Sequence, residues 1–250
     1  VNVSCSMVKI ICPGREIMIN IGSRLLKIAR MLGKCSKPAD IGTDHAYIPI
    51  YLIQSGMCSS VVATDNRKGP LMKAERNIEK HRLSDRIELR LGDGLKPIQE
   101  DECDAFIIAG MGGVVIAEIL EASVEKAKKA EALVLQPAYY DEVLREFLLH
   151  NGFRIETESL VKDEGRIYTI IKARYDGVTR SEDILHLHIG RALFDNRDPL
   201  LNEFLERRIR IQTRIVEGMR KSVKRDEQVY AKEYNLLNKM KEAYDNLFTG

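Results

Sequence analysis

From Ser23 onward the apolar positions of the chain switch repeatedly between two periods. Leu25, Leu26, Ile28, Ala29 and Leu32 recur at helical spacing and stop at Gly33. Short apolar runs at residues 38–42, 60–65, 104–109 and 132–136 read as buried strands, and 87–91 alternates as a strand. Helical stretches lie between them at 48–56, 69–82, 114–121 and 141–150. Residues 153–161 and 167–175 form an adjacent strand pair around Asp163-Glu-Gly165. Strands alternating with helices, then two neighbouring strands, predict an α/β fold: a doubly wound, Rossmann-like, mostly parallel sheet with an antiparallel end. Ligands of such sheets sit at the carboxyl ends of the strands. Those ends carry Asp40, Gly42, Asp65, Asp93, Gly110 and Gln136.

After about Asp176 the strand pattern stops. Asp198-Pro199 reads as an N-cap and first-turn pair. Leu201, Phe204, Ile211, Ile215, Met219 and Val223 form one helical stripe. A turn falls near 224–226, and Tyr230, Tyr234, Leu237, Tyr244 and Leu247 form a second stripe. The two predict a C-terminal antiparallel helical hairpin with a narrow coiled-coil seam. The chain thus divides into residues 1–17, a Rossmann-like domain at 18–177 and a helical domain at 178–250.

Composition adds limits. The 250 residues are 44% hydrophobic and 30% charged, with a net charge of +2. That excludes a disordered chain and leaves a nucleic-acid partner open. Charge is uneven, however. Residues 205–225 hold eight basic side chains against Glu206 and Glu217, a net +6. This run is either a solvated helix face or a phosphate-contacting arm. The longest nearly apolar run, 106–117, is too short to span a bilayer. Five widely spaced cysteines without a CxxC fit neither a disulfide framework nor a zinc site, and a cytoplasmic protein is expected. The histidines are scattered, so no metal site is expected, and His186 and His188 read as part of a polar face. Residues 1–17 show no clean period. Met18 is expected to be the true start, with Gly14-Arg15-Glu16 encoded by a ribosome-binding sequence.

The strand ends narrow the ligand. The first strand–turn–helix, Asp40-Ile-Gly-Thr-Asp-His-Ala-Tyr-Ile-Pro49, has one glycine and is not GxGxxG. The only near match, Gly110-Met-Gly112-Gly113, comes at the fourth strand and has Val115 at the third-glycine position. A dinucleotide pyrophosphate needs close backbone approach at several glycines, so it is disfavoured. No GxxxxGK[ST] is present either. An acid-Xaa-Gly turn followed by an acid ending strand two suits S-adenosylmethionine, which has no phosphates and offers two ribose hydroxyls. Asp65 follows Asp40 by 25 residues, near the interval of a ribose-binding acid. Asp93 could accept from an adenine amino group. Both acids have an alternative reading as turn formers.

Asp40-Ile-Gly-Thr-Asp-His-Ala-Tyr-Ile-Pro49, Gly92-Asp-Gly-Leu95, Ala109-Gly-Met-Gly-Gly113 and Leu135-Gln-Pro137 stand in order before a helical arm. Together they resemble the bacterial tRNA (adenine(22)-N(1))-methyltransferase family, over roughly residues 19–250. The resemblance implies transfer of a methyl group from S-adenosylmethionine to N1 of an adenine in the D-arm of tRNA. It also implies cofactor binding by Gly42, Asp65 and Asp93, with Asn66 and Gly94 beside them and Asp40 shaping the first turn. Gly110 and Met111 would line the boundary between cofactor and base, and Arg24 would meet the cofactor carboxylate or a tRNA phosphate. Asp44, His45, Tyr47 and Gln136 would face the substrate. Asp44 would stabilise charge developing on the adenine, and Gln136 would accept from its amino group. His45 would take a proton or orient Asp44, and Tyr47 would stack on the base or pack. Arg207, Arg208, Arg210, Arg214, Lys221 and Lys224 would grip tRNA. Ala138 stands where the family commonly has Asn, followed by Tyr139 and Tyr140, which leaves base contact at that loop open. Absence of N-P-P-[YF] favours a ring nitrogen over the exocyclic amino group. Two rival classes are a methyltransferase for a small molecule or protein, with the hairpin as a dimerisation element, and a non-catalytic nucleotide-binding module. The oligomeric state stays open, and a monomer is compatible.

Overall fold

Seven segments pair into one sheet: β1 (Pro38–Ile41), β2 (Val61–Asp65), β3 (Ile87–Leu91), β4 (Ala105–Met111), β5 (Ala132–Pro137), β6 (Phe153–Asp163) and β7 (Arg166–Tyr175). Their order is β3-β2-β1-β4-β5-β7-β6. The first five are parallel, and β7 runs antiparallel to both β5 and β6. This computed structural model describes residues 18–222 and 224–248. The expectations for residues 1–17 and for Val223 lie outside the described residues.

The central strands are buried on both faces because helices cover both. Along β5, Leu133 and Leu135 pack on one side and Val134 on the other, as a pleat of period two requires. One layer holds α1 (Ser23–Leu32), α2 (Tyr47–Gln54) and α3 (Lys68–Lys80). The opposite layer holds α4 (Gly113–Glu121), α5 (Val124–Lys129) and α6 (Asp141–His150). The sequence pattern missed α5, which is six residues long and buries only Ala127, too little to generate a period. β4 runs two residues past its expected end, with a register shift between Ala109 and Met111. This irregularity carries Gly110 and Met111 to the centre of the ligand edge.

Beyond β7 come two short helices that the sequence did not announce, α7 (Ile184–Ile189) and α8 (Arg191–Asp195). The long pair α9 (Leu201–Lys221) and α10 (Glu227–Phe248) follows. The pair is antiparallel: Gln212 Nε2 donates to Glu233 Oε2 at 2.6 Å, and Tyr244 donates to Glu206 Oε1 at 2.7 Å. The seam differs from the one expected. Leu201, Phe204, Leu205, Gln212 and Val216 of α9 are buried against Leu236, Leu237 and Met240 of α10. Ile211, Ile215, Tyr234 and Leu247 are exposed instead. Leu201, Phe204 and Leu237 are buried as expected; from Ile211 on, the α9 stripe was traced one residue off because Gln212, polar in sequence, occupies a core position by bonding across the seam.

The arm is fastened to the sheet by polar contacts. Arg145, buried in α6, places Nε 2.7 Å from Glu158 Oε1 of β6 and donates from Nη1 to Leu187 O of α7 at 2.6 Å. Asp198 stands three residues before Leu201, where α9 begins, and its Oδ1 accepts from Leu200 N at 2.9 Å, as a first-turn cap does. Its carboxylate accepts from Leu160 N at 3.0 Å and from Ser159 Oγ at 3.1 Å, pinning the hairpin base to β6. His186 and His188 are partly buried on α7, their Nδ1 atoms 3.4 Å from Glu182 and 3.9 Å from Glu142. Burial, together with the Arg208 cation, holds His188 down at about 4.

Candidate active site

The carboxyl ends of β1 to β4 enclose a cleft of about 760 Å³, a size for one nucleoside-like ligand. No part of β5 lines it. The ligand edge is therefore divided by β4, with the cleft on the β1–β3 side and the β5 loop on the other.

Residues of the first turn build the cleft floor. Gly42 has φ +78°, and a Cβ on it would lie 2.1 Å from Met111 Cε. The positive φ favours glycine, which brings backbone close to whatever occupies the cleft. The N–H groups of Gly42 and Thr43 both donate to Thr64 O at 2.8 Å, fixing the turn to β2. Asp65 ends β2. Its Oδ1 accepts from Arg67 N at 2.8 Å, while Oδ2 has no hydrogen bond among the described residues. The Thr64 hydroxyl is buried in the same wall without a partner. Such groups favour a ligand that completes their bonds.

Charge narrows that ligand further. The cleft is lined by four carboxylates, Asp44, Asp65, Asp93 and Glu118, against the two cations Arg67 and Lys96. This balance repels pyrophosphate and suits a nucleoside bearing positive charge. Asp93 is exposed and paired with Lys96 Nζ at 2.7 Å. Asn66, Gly94, Gly110 and Met111 line the cleft as expected. Asp40 does not. It lies buried in β1, where desolvation pushes its carboxyl up from 3.8 to about 6; the Thr43 side chain draws it partly back and the Asp65 charge adds to the rise.

The expected substrate-side residues fall into two groups. Asp44 reaches the cleft, with His45 Nε2 and Lys73 Nζ each 3.6 Å from its Oδ1. His45 and Ala46 follow in left-handed backbone, φ 67° and 54°. Such strain is tolerated where surrounding structure imposes it, often at functional loops. Here the Asn77 side chain holds His45 O at 2.9 Å, and the His45 ring stacks on Tyr47 at 5.2 Å. Gln136 is buried on the β5 side with both ends of its amide in use. Oε1 accepts from Arg24 Nη1 at 2.6 Å, and Nε2 donates to Pro137 O at 2.7 Å. Arg24 also lies over the Tyr168 ring at 5.3 Å. The structure places Arg24 beside Gln136 and outside the cleft.

Residues not singled out in sequence complete the cleft wall. Thr64 comes from β2, and Val115, Glu118 and Ile119 come from α4. The last three recur at i, i+3 and i+4, so a helical wheel groups them, but their side of the sheet depends on the crossover.

The fold and this acid-rimmed cleft define a Rossmann-like nucleoside-binding domain, and residues 21–171 match the family model described as a methyltransferase domain. The tRNA (adenine(22)-N(1))-methyltransferase of Bacillus subtilis (strain 168) is 36% identical over 174 residues, covering 67% of this chain and 73% of that protein. The B. subtilis m1A22 tRNA methyltransferase TrmK superposes with a TM-score of 0.74 at 29% identity, over 90% of this chain and 96% of that one. M. capricolum TrmK, solved with the natural cofactor product S-adenosyl-homocysteine, gives 0.76 at 28% identity, over 91% and 98%. This chain belongs to the tRNA (adenine(22)-N(1))-methyltransferase family.

Proposed function

We propose that this protein transfers the methyl group of S-adenosylmethionine to N1 of an adenine in the D-arm of tRNA, position 22 by its family. One observation carries the reading. A carboxylate-lined cleft ends at Gly42, Gly110 and Met111, in a chain whose helix α9 exposes Arg207, Arg210 and Arg214.

S-adenosylmethionine supplies an electrophilic methyl on a sulfonium centre. Asp65 accepts from the ribose hydroxyls, and the acidic lining complements the sulfonium charge. Gly42 and Gly110, both at positive φ, allow the close approach that positions the ligand. Adenine N1 carries a free lone pair at neutral pH, so no residue must remove a proton before attack. Catalysis is then positioning and desolvation. Asp44 lies at the cleft mouth to offset the positive charge that develops on the adenine. Gln136 holds the β5 side in shape through Arg24. Its Oε1 could bond the adenine amino group only by sharing or releasing the Arg24 bond.

N1 lies on the pairing edge of adenine, so the target base must leave its stack to react. In this reading residues 178–250 grip the tRNA while residues 18–177 hold the cofactor. Arg207, Arg210, Arg214, Lys221 and Lys224 are exposed. None of them forms an ion pair or hydrogen bond among the described residues, which leaves them available for phosphates. Arg208 is partly committed, 3.5 Å from His188 Nδ1.

The test is incubation with S-adenosylmethionine and unmodified tRNA transcripts, followed by nucleoside mass spectrometry. A 1-methyladenosine peak that Asp44→Ala diminishes is the expected result. Cofactor binding without any methylated nucleoside would hand the site to a small-molecule or protein substrate.

A further inference from the structure

The β5 side of the ligand edge ends in two exposed tyrosines. Tyr139 and Tyr140 are 59% and 55% exposed. Yet the backbone beneath them is held firmly. Ala138 N donates to Met111 O at 2.8 Å, and Gly113 N donates to Tyr139 O at 2.8 Å. Tyr140 sits in left-handed backbone at φ 60°, which is uncommon for a bulky residue. A loop constrained this way while leaving apolar rings in water is arranged for contact rather than for packing.

The glycines of Ala109-Gly-Met-Gly-Gly113 explain how the rings are seated. A Cβ on Gly112 would lie 2.6 Å from Tyr139 Cε2 and 2.9 Å from Cζ. A Cβ on Gly113 would lie 2.1 Å from Tyr140 O. Gly112 has φ −66° and ψ 147°, a conformation open to any residue. A side chain there would displace the Tyr139 ring, which fills the space beside Gly112. Met111 precedes it and lines the cofactor cleft, with its side chain against Gly42. The order along this loop is thus cofactor cleft, Met111, Gly112, Tyr139. Tyr140 meets the Tyr139 ring edge-on, with centroids 5.2 Å apart and planes at 82°. The Tyr139 hydroxyl has no partner among the described residues.

We infer that Tyr139, bedded on Gly112 and braced by Tyr140, is the platform on which the extruded target adenine stacks before methyl transfer. This rests on the tRNA reading above and names its base-positioning residue. Stacking needs a ring held on one side and open on the other, and it needs no hydroxyl. It also supplies what Ala138 lacks: with no side-chain amide at that position, the loop holds a base by its π-face instead of its edge.

The experiment uses the full chain with Tyr139→Ala, Tyr139→Phe, Tyr139→Trp and Gly112→Ala. Three quantities are read: kcat and KM for tRNA, S-adenosylmethionine affinity by calorimetry, and emission of a tRNA carrying 2-aminopurine at the target position with S-adenosylhomocysteine present. Tyr139→Ala is expected to lower kcat/KM for tRNA on the order of 10- to 100-fold, the range for one lost base–aromatic stack, with cofactor affinity unchanged. The 2-aminopurine quenching should disappear in Tyr139→Ala and persist in Tyr139→Phe and Tyr139→Trp. Gly112→Ala displaces the ring, so it should reproduce part of the loss alone and add nothing to Tyr139→Ala. An active parent whose tRNA kinetics and quenching survive Tyr139→Ala overturns the inference. So does a loss of cofactor affinity matching the loss of rate, which would make the loop merely structural. A parent that binds cofactor but methylates no tRNA removes the underlying reading, and that failure is visible before any variant is made.

Discussion

The cofactor cleft and the exposed face of α9 carry opposite charge and are built by opposite means. The cleft gathers Asp44, Asp65 and Asp93 at strand ends and adds Glu118 from α4, with the first and third turns bonded by backbone to β2. The arm spreads arginines along an exposed helix, free of ion pairs among the described residues at Arg207, Arg210 and Arg214. A cationic nucleoside and a polyanion can thus bind one chain without competing, because each surface repels the other's ligand. Between them the β4 loop divides the ligand edge, and the Tyr139 side belongs to neither charge.

The largest test of this contrast falls on the cleft. In the proposed reading Asp65→Ala removes charge-assisted bonds to two ribose hydroxyls, each worth about 1.5–3 kcal/mol. Cofactor affinity should fall at least about 100-fold by calorimetry, with the tRNA salt dependence untouched.

Asp40→Asn acts on the same turn in the opposite direction. The folded state raises the Asp40 carboxyl from 3.8 to about 6. Its contribution to stability is therefore fully present below about 4 and is lost as pH rises through 6. A shift of about two units corresponds to a penalty on the order of 3 kcal/mol above that window. Urea midpoints should show Asp40→Asn gaining on the parent between pH 4.5 and 7.5. A gap that does not change with pH would mean that Asp40 is ionised at little cost.

On the arm, charge reversal at Arg207, Arg210 and Arg214 should weaken tRNA binding. It should also flatten the slope of log K against log salt by about 2–3, near 0.7–0.9 per lost phosphate contact. Cofactor affinity should not move. Unchanged tRNA affinity would return the basic run to an ordinary solvated face.

The smallest effect separates the observed seam from the expected one. Ile211→Ser and Ile215→Ser, at exposed positions, should each change stability by no more than about 0.5 kcal/mol. Leu205→Ala, at a buried position, should cost about 2–5 kcal/mol. Thermal unfolding of the three variants decides which stripe holds the hairpin.

Local chemistry was legible without coordinates. The strand runs, the single-glycine turn at Gly42, the acids Asp65 and Asp93 and the basic run of α9 are each written in consecutive residues. Backbone geometry converts such residues directly into turns, strand ends and helix faces. Gln136 and Arg24 were singled out, but their mutual bond, which spans 112 positions, was not readable. The distal half of the seam failed for the same reason: Gln212 is polar by type and becomes core only because Glu233 meets it across the hairpin. Short α5, α7 and α8 carry too few turns to show a period.

By itself, then, the sequence determined the doubly wound sheet, Asp65 and Asp93 at its ligand edge and the charge of α9, since each follows from residues near one another in the chain. Tertiary structure alone decided that β4 divides the site, that Arg24 and Gln136 stand outside the cleft and that Gly112 makes room for the Tyr139 ring. Those are contacts between segments brought together by strand order, and no local pattern encodes which distant atoms will fill the space beside a glycine.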